Sequence, residues 1–386
     1  MRACTLLALS VFVLDTPTIN ALAQPPGGTT SMPTVAQQTV GQTLSGATVE
    51  QYTLMNSAGL EAKVLTCGAM LTSVKVPDRS GAFDYVTLFH DDPAAYLQRP
   101  SVLGAVVGRF ANRIAGARFV LDGKQVELAA NAPTYQIHGG KTGFHTQVWK
   151  AEPLQTPDAA GVKLSLTSPD GHEGFPGTLQ VEVLYRLTDK NELWMEYTAT
   201  TDKPTHLNLT NHAYWNLKGR SDVLDHRLAI NADRYLPTGE AKIPLGRIDP
   251  VAGTPMDFTE PHAIGSRIAQ VDDENYDHCY VLNKTAGERL ALAARVEEPT
   301  SGRLMEVYTT QPGVQLYTAR GMKFTRGDRQ FGSHPALCLE TQHFPNSPNE
   351  PSFPTTVLRP GETFHEVTMH RFGVEFVVIE IDFHRF

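Results

Sequence analysis

Leu179-Gln180-Val181-Glu182-Val183-Leu184-Tyr185-Arg186-Leu187, then Asp189-Lys190-Asn191-Glu192, then Leu193-Trp194-Met195-Glu196-Tyr197-Thr198-Ala199: the reading of this stretch decides the fold class. Apolar and polar residues alternate almost without a break in both arms, the period of a half-buried strand. The polar link between the arms supplies turn chemistry, so the pair is predicted to form a hairpin. The same pattern recurs towards the N-terminus, with strands predicted at 49–54, 61–65 and 70–76 and a turn at Pro77-Asp78-Arg79-Ser80-Gly81. Amphipathic helices are scarce, and residues 93–97 and 265–270 read only as short turns. No repeat of fixed period occurs, and no linker interrupts the chain after Val49. The expectation is one large, mostly antiparallel all-β domain over residues 48–374.

The 386 residues include 31 Gly and 26 Pro scattered along the chain, as many short strands joined by tight turns require. A net charge of -8 without a long basic run argues against a nucleic-acid partner. At the N-terminus Arg2 precedes an apolar run from Thr5 to Leu14, and Ala21-Leu22-Ala23 follows before Gln24. A positive start, a short apolar stretch and a small-x-small site describe a secretory signal peptide over 1–23, cleaved near Ala23. The run is too short to span a bilayer as a helix, so no membrane span is expected. Export would place the protein in a periplasm or outside the cell. Residues 24–47, rich in Pro, Gly, Thr, Gln and Ser, read as a flexible leader. Residues 375–386 read either as one more strand or as an unpaired extension. Cys4 would leave with the signal, and Cys67, Cys279 and Cys338 have wide spacing and apolar neighbours, which makes them small buried residues.

No zinc frame, nucleophile elbow, Walker loop or dinucleotide fingerprint is present, so neither a metal nor a cofactor is expected. Polar clusters set between strands stand out instead. They are Gly108-Arg109-Phe110-Ala111-Asn112-Arg113-Ile114, Ile137-His138-Gly139-Gly140, and Leu207-Asn208-Leu209-Thr210-Asn211-His212-Ala213-Tyr214-Trp215-Asn216. Further along come Thr254-Pro255-Met256-Asp257-Phe258, Thr309-Thr310-Gln311-Pro312-Gly313-Val314-Gln315, and Cys338-Leu339-Glu340-Thr341-Gln342-His343-Phe344-Pro345. Taken singly, most have a structural explanation: His138 as a turn residue, Asn211 and His212 as a polar corner of the core, Asp257 as a turn cap, Arg113 as a surface ion-pair partner. Glu340 differs, because it follows the apolar Ala336-Leu337-Cys338-Leu339, and a carboxylate inside a buried strand costs free energy unless paired.

Together these clusters resemble the aldose 1-epimerase family. The resemblance runs from Thr66-Cys67-Gly68-Ala69 to Phe372-Gly373, through Val76-Pro77-Asp78-Arg79, Ser168-Pro169-Asp170-Gly171, Glu173-Gly174-Phe175-Pro176-Gly177, Tyr276-Asp277-His278 and Leu358-Arg359-Pro360-Gly361-Glu362. It implies a large antiparallel β-sandwich and an enzyme that interconverts the α and β anomers of free aldohexoses, a monosaccharide substrate with no cofactor. It also implies that Glu340 is the general base, His212 the general acid and His138 a second active-site histidine. Asn112 and Arg113 would bind the sugar, Asp257 would hold sugar hydroxyls, and Gln311 or Gln315 would line the same cleft. Ala213 and Trp215 replace the commoner Ser and Phe beside the catalytic His, which bears on sugar preference. By the same resemblance the protein would be a monomer or weak homodimer.

The chemistry accounts for these residue types. Opening a pyranose removes a proton from the anomeric hydroxyl and delivers one to the ring oxygen, so one base and one acid on different sides of the C1–O5 bond suffice. Carboxylate and imidazole suit this near neutral pH. Three rivals make different demands. A glycosidase needs two carboxylates flanking the scissile bond, a role Glu340 and Asp257 could in principle share, but the His-rich remainder fits ring opening better. A non-catalytic sugar-binding protein on the same fold would be expected to lack Glu340 or His212. An enzyme for phosphorylated hexoses would want a basic cluster near the motifs and a cytosolic address.

Overall fold

The computed structural model describes residues 31–98, 101–285 and 287–375. The expected signal peptide, the first part of the leader and residues 376–386 lie outside the described residues. The deciding hairpin is present as Leu179–Thr188 and Glu192–Thr201, paired antiparallel from Leu179↔Thr201 to Leu187↔Leu193. Leu179, Val181, Val183, Tyr185 and Leu187 on one arm, and Leu193, Met195, Tyr197 and Ala199 on the other, are buried. The alternation therefore reports one face turned to the core. At the turn, Asn191 takes a positive φ of 61° that asparagine tolerates, and its side-chain oxygen accepts from Asn56 Nδ2 at 2.8 Å.

This hairpin belongs to a nine-stranded sheet ordered Lys150–Thr156, Ala159–Ser168, Leu179–Thr188, Glu192–Thr201, Phe364–Val374, Arg303–Thr309, Ala291–Glu297, Arg227–Ile230 and His262–Ala263. Every neighbouring pair is antiparallel. A five-stranded sheet, Thr34–Gln42, Thr48–Met55, Glu61–Leu65, Met70–Pro77 and Phe83–Tyr85, carries the N-terminal strands. A second five-stranded sheet, Asp249–Pro250, Arg234–Tyr235, Asp277–Val281, Gly313–Tyr317 and Cys338–Gln342, carries the candidate chemistry. Leu54, Val64 and Val74 of the first, Val183 and Met195 of the large sheet, and Val314 and Leu316 of the third share one buried cluster. The sheets thus enclose a common core, as in a sandwich.

One expectation changes. Thr34–Gln42, assigned to a flexible leader, is a strand paired with Thr48–Met55 through a bulge at Thr39/Gly41. Most of its side chains are exposed, so its order comes from the backbone ladder, and the apolar alternation that marks a strand is missing. The turns foreseen at 93–97 and 265–270 are the short helix Ala94–Gln98 and the 3₁₀ turns Ile264–Ser266 and Ile268–Gln270. Cys67, Cys279 and Cys338 are free and buried, and burial raises all three thiols, Cys67 to about 11.

Candidate active site

The third sheet sets the site by register. Cys279, Gln315 and Glu340 pair in one row across three strands, and Asp277, Tyr317 and Cys338 in the next. Residues two apart on a strand point the same way, so both rows share one face. Glu340 is 2% exposed, and its Oε1 stands 3.6 Å from His212 Nε2. His212 follows the short strand Thr210–Asn211, and its backbone is held by Ala105 and Gly104. Its imidazole stacks on the Tyr214 ring at 4.9 Å with a 13° tilt, which fixes the ring plane.

His138 comes from the Gly-Gly loop after the strand Tyr135–Ile137. Its N–H donates to Asn112 O at 3.0 Å, and the Asn112 N–H donates to its Nδ1 at 3.3 Å. An Nδ1 that accepts leaves Nε2 to carry the proton of the neutral ring. Gly139 makes the turn possible: its φ is +78°, and a Cβ there would lie 1.9 Å from Gly108 O. The His138 and His212 rings meet edge-to-face at 5.2 Å. Beneath this corner, the buried Arg109 guanidinium donates to Ser168 Oγ and O and to the Pro169 and Pro176 carbonyls. It thereby ties the Ser168-Pro169 and Phe175-Pro176 loops to the segment that carries Asn112 and Arg113.

Asp277 completes the polar wall. Arg113 Nη2 donates to its Oδ2 at 3.1 Å, and Gln315 Nε2 donates to its Oδ1 at 2.6 Å. The cleft, about 340 Å³, is lined by Asn112, Arg113, His138, His212, Asp277 and Glu340, with Tyr214, Tyr317, Asn275, Val102 and Ile137. Its volume falls at the lower end of small-molecule sites.

Six of the eight candidate residues thus come together, Gln315 through Asp277, and two do not. Asp257 is not on the cleft: its Oδ1 accepts from the backbone and hydroxyl of Thr259. The Pro-Met-Asp segment makes a capped turn, and the carboxylate in the cleft is Asp277. Gln311 is buried elsewhere, its Nε2 towards Leu209 O at 3.5 Å, so of the two glutamines Gln315 is the one at the site. Trp215 does not line the cleft either; its ring packs 4.8 Å from His370 and 5.9 Å from Phe372. Asp277 was legible on the argument used for Glu340, since it stands in the strand-like Asp277-His278-Cys279-Tyr280-Val281.

Burial dominates the electrostatics. It pushes the Glu340 carboxyl up to about 8, with the Asp277 charge adding to the rise and Arg113 opposing it. Burial lowers His212 to about 4, and burial also holds His138 well below the usual imidazole range, with the neighbouring His212 and Arg113 adding to the fall. At neutral pH the Glu340–His212 pair therefore holds one proton for two groups, and it rests on Glu340. The donor atoms of His138, His212 and Glu340 lie within 4.8 Å of one another, a grouping that could gather round a cation. The Arg113 guanidinium acts on both His138 and Glu340 and opposes a cation there, so the trio is read as acid–base groups.

The chain is similar in sequence and fold to known proteins. Residues 50–370 match the aldose 1-epimerase family. Galactose mutarotase of Mus musculus is 41% identical over 334 residues, 85% of this chain and 95% of that protein. Aldose 1-epimerase of Escherichia coli K12 is 38% identical over 332 residues, 84% and 95% of the two chains. The crystal structure of galactose 1-epimerase from Lactobacillus acidophilus superposes with a TM-score of 0.79 at 29% identity, covering 90% of this chain and 100% of that one. A match over most of the chain, with a β-sandwich of the same architecture, establishes that this protein belongs to the aldose 1-epimerase family.

Proposed function

We propose that the chain interconverts the α and β anomers of free aldohexoses, with Glu340 as general base and His212 as general acid. The observation that carries this reading is the buried pair itself, two groups 3.6 Å apart in a cleft walled by polar side chains. Once the shared proton has passed from Glu340 to His212, the Glu340 carboxylate removes the anomeric O1 proton, and the C1–O5 bond breaks as C1=O1 forms. His212 protonates O5. Rotation about C1–C2 turns the other face of the aldehyde to O5, and the two groups exchange roles on reclosure. The proton count of the pair is the same before and after. Arg113, Asn112 and Asp277 would hold the remaining hydroxyls, so that the open chain stays bound between the two steps. None of these steps requires a cofactor. The names of the mouse, Escherichia coli and Lactobacillus relatives support the same reaction class.

The test is optical rotation. Crystalline α-D-glucose and α-D-galactose are dissolved with and without protein in matched buffer, beside Glu340→Gln and His212→Asn. Relaxation well above the spontaneous rate in wild type, falling towards it in both variants, is expected. A folded wild type that adds nothing with either sugar would overturn the assignment in favour of sugar binding without catalysis.

We further propose that the protein is exported, with residues 1–23 removed, on the strength of Arg2, the apolar run and Ala21-Leu22-Ala23. Among the described residues no helix is long and apolar enough to cross a membrane. Intact mass of the protein from a periplasmic extract should begin near Gln24; a retained Met1 in the cytosolic fraction would sink the proposal. A monomer or weak homodimer is expected by sedimentation.

A further inference from the structure

We propose that Asn275 is a specificity-determining residue that donates a hydrogen bond to the sugar's C4 hydroxyl, the one across the ring from the anomeric carbon. The proposal rests on the aldose 1-epimerase reading of the cleft.

Asn275 lines the cleft with Asp277 and Glu340. Its backbone is extended, with φ -145° and ψ 115°, and Thr318 N–H bonds to Tyr276 O, so the ladder of the Asp277–Val281 strand reaches Tyr276 and Asn275 prolongs the strand's extended course by one residue more. Asn275, Asp277 and Cys279 therefore share one face. Glu340 stands in the Cys279 row, Asp277 one row on and Asn275 one row beyond that. Each row adds roughly 6.6 Å along the strand and each strand roughly 4.8 Å across, which puts the Glu340 and Asn275 backbones at opposite ends of the cleft. A sugar whose C1 meets Glu340 turns C4 towards the Asn275 end, past Asp277.

The amide is locked in orientation. Asn275 Oδ1 accepts from Thr318 Oγ1 at 2.9 Å and from the Arg320 N–H at 3.3 Å. With the oxygen tied back, Nδ2 is the atom left to face the cleft, and it donates to no protein group among the described residues. The rim that carries it is itself clamped. Arg320 bonds Glu274 Oε2 at 2.7 Å and the Asp273 carbonyl, and His334 Nε2 meets Glu274 O at 2.9 Å. A fixed donor at the far end of an acid–base cleft is suited to reading hydroxyl configuration, because misplacing the hydroxyl leaves both partners unpaired.

The experiment is mutarotation kinetics of wild type and Asn275→Ala on D-glucose, D-galactose, 2-deoxy-D-glucose and 4-deoxy-D-glucose. The variant should raise KM roughly three- to tenfold on glucose and 2-deoxyglucose, with kcat little changed. It should change the glucose-to-galactose preference, which differs only at C4, and leave 4-deoxyglucose unaffected. The comparison is made between sugars on one protein preparation, so loss of folded protein cancels. An equal effect on all four sugars, or none on any, overturns the role of Asn275 while leaving the enzyme reading intact. An inactive wild type overturns both.

Discussion

Replacing Glu340 by Gln should cost activity and restore stability at alkaline pH, and the two effects have one origin. The carboxyl is 2% exposed, and its value in the fold, about 8, lies above the unfolded value of 4.5. The folded state therefore holds a proton that the unfolded state gives up. Stability from this group is fully present below about 4.5 and is lost as pH rises through about 8. Each pH unit inside that window removes about 1.4 kcal/mol, so on the order of 5 kcal/mol has gone by pH 9. Gln keeps the shape and never ionises. The variant's unfolding temperature should fall much less than wild type's between pH 5 and pH 9, by calorimetry in matched buffers. Activity should move the other way. A general base contributes ~10²–10⁴-fold, or about 2.7–5.4 kcal/mol of barrier, and Gln cannot take the anomeric proton. In wild type, kcat/KM should stay level while the pair holds one proton and fall above about pH 8, where Glu340 loses it. The reasoning is refuted if Glu340→Gln keeps more than a tenth of kcat, or if its unfolding temperature tracks wild type through pH 9.

Asp277→Asn should raise KM strongly and leave Arg113 without its carboxylate, whereas Asp257→Asn should leave kcat/KM within twofold; the reverse ranking in polarimetric assays would restore the turn carboxylate to the site. Arg109→Met should destabilise the fold by about 3–5 kcal/mol in urea titration, because carbonyls of two loops lose their buried donor. Gly139→Ala should displace His138 and cut activity more than stability, since its Cβ would meet the Gly108 carbonyl; an unaltered rate would show that the loop yields freely. Burial lowers His206, His212, His226, His278 and His343 to about 4 and His370 to about 3, all from 6.5. Each contributes stability that is present above about 6.5 and lost as pH falls through its folded value, so the unfolding temperature should drop steeply between pH 6.5 and pH 4. A flat calorimetric profile over that interval would mean that these imidazoles accept protons without unfolding.

The hairpin 179–199 was legible because each arm has one face in the core and the other towards solvent, so polarity alternates with burial. Thr34–Gln42 was not, because an exposed strand is specified by backbone bonds that any sequence without proline can make. Sheet order was equally hidden: Phe364–Val374 inserts between Glu192–Thr201 and Arg303–Thr309, and no local pattern records which distant strand a segment will join. The site residues next to glycines, His138 above all, were found as clusters, but their orientation depends on positive-φ turns and on an Asn112 N–H that only the folded chain supplies.

The misplaced carboxylate has a more general physical reason. In the strands Asp277–Val281 and Cys338–Gln342 every residue is buried, and in Gly313–Tyr317 all but the last. Where both faces are covered, polarity no longer separates core from solvent; a polar residue at such a position has to be paired, or it faces a cleft. Glu340 was picked out on that ground, standing after four apolar residues. Asp277 and Gln315 meet the same condition, and the register brings them to the same face as Glu340. Asp257 never met it, because it lies in a partly exposed turn, where the Thr259 backbone and hydroxyl donors outweigh the cost of desolvation. Burial of the strand, rather than proximity to a motif, is the better guide to which acid belongs to the chemistry. By that measure Asp277→Asn should disturb the Glu340 proton as well as the sugar, since the Asp277 charge helps to hold Glu340 protonated. The alkaline limb of kcat/KM should then move to lower pH in the variant, and a limb that stays in place would show that the two carboxylates do not sense each other.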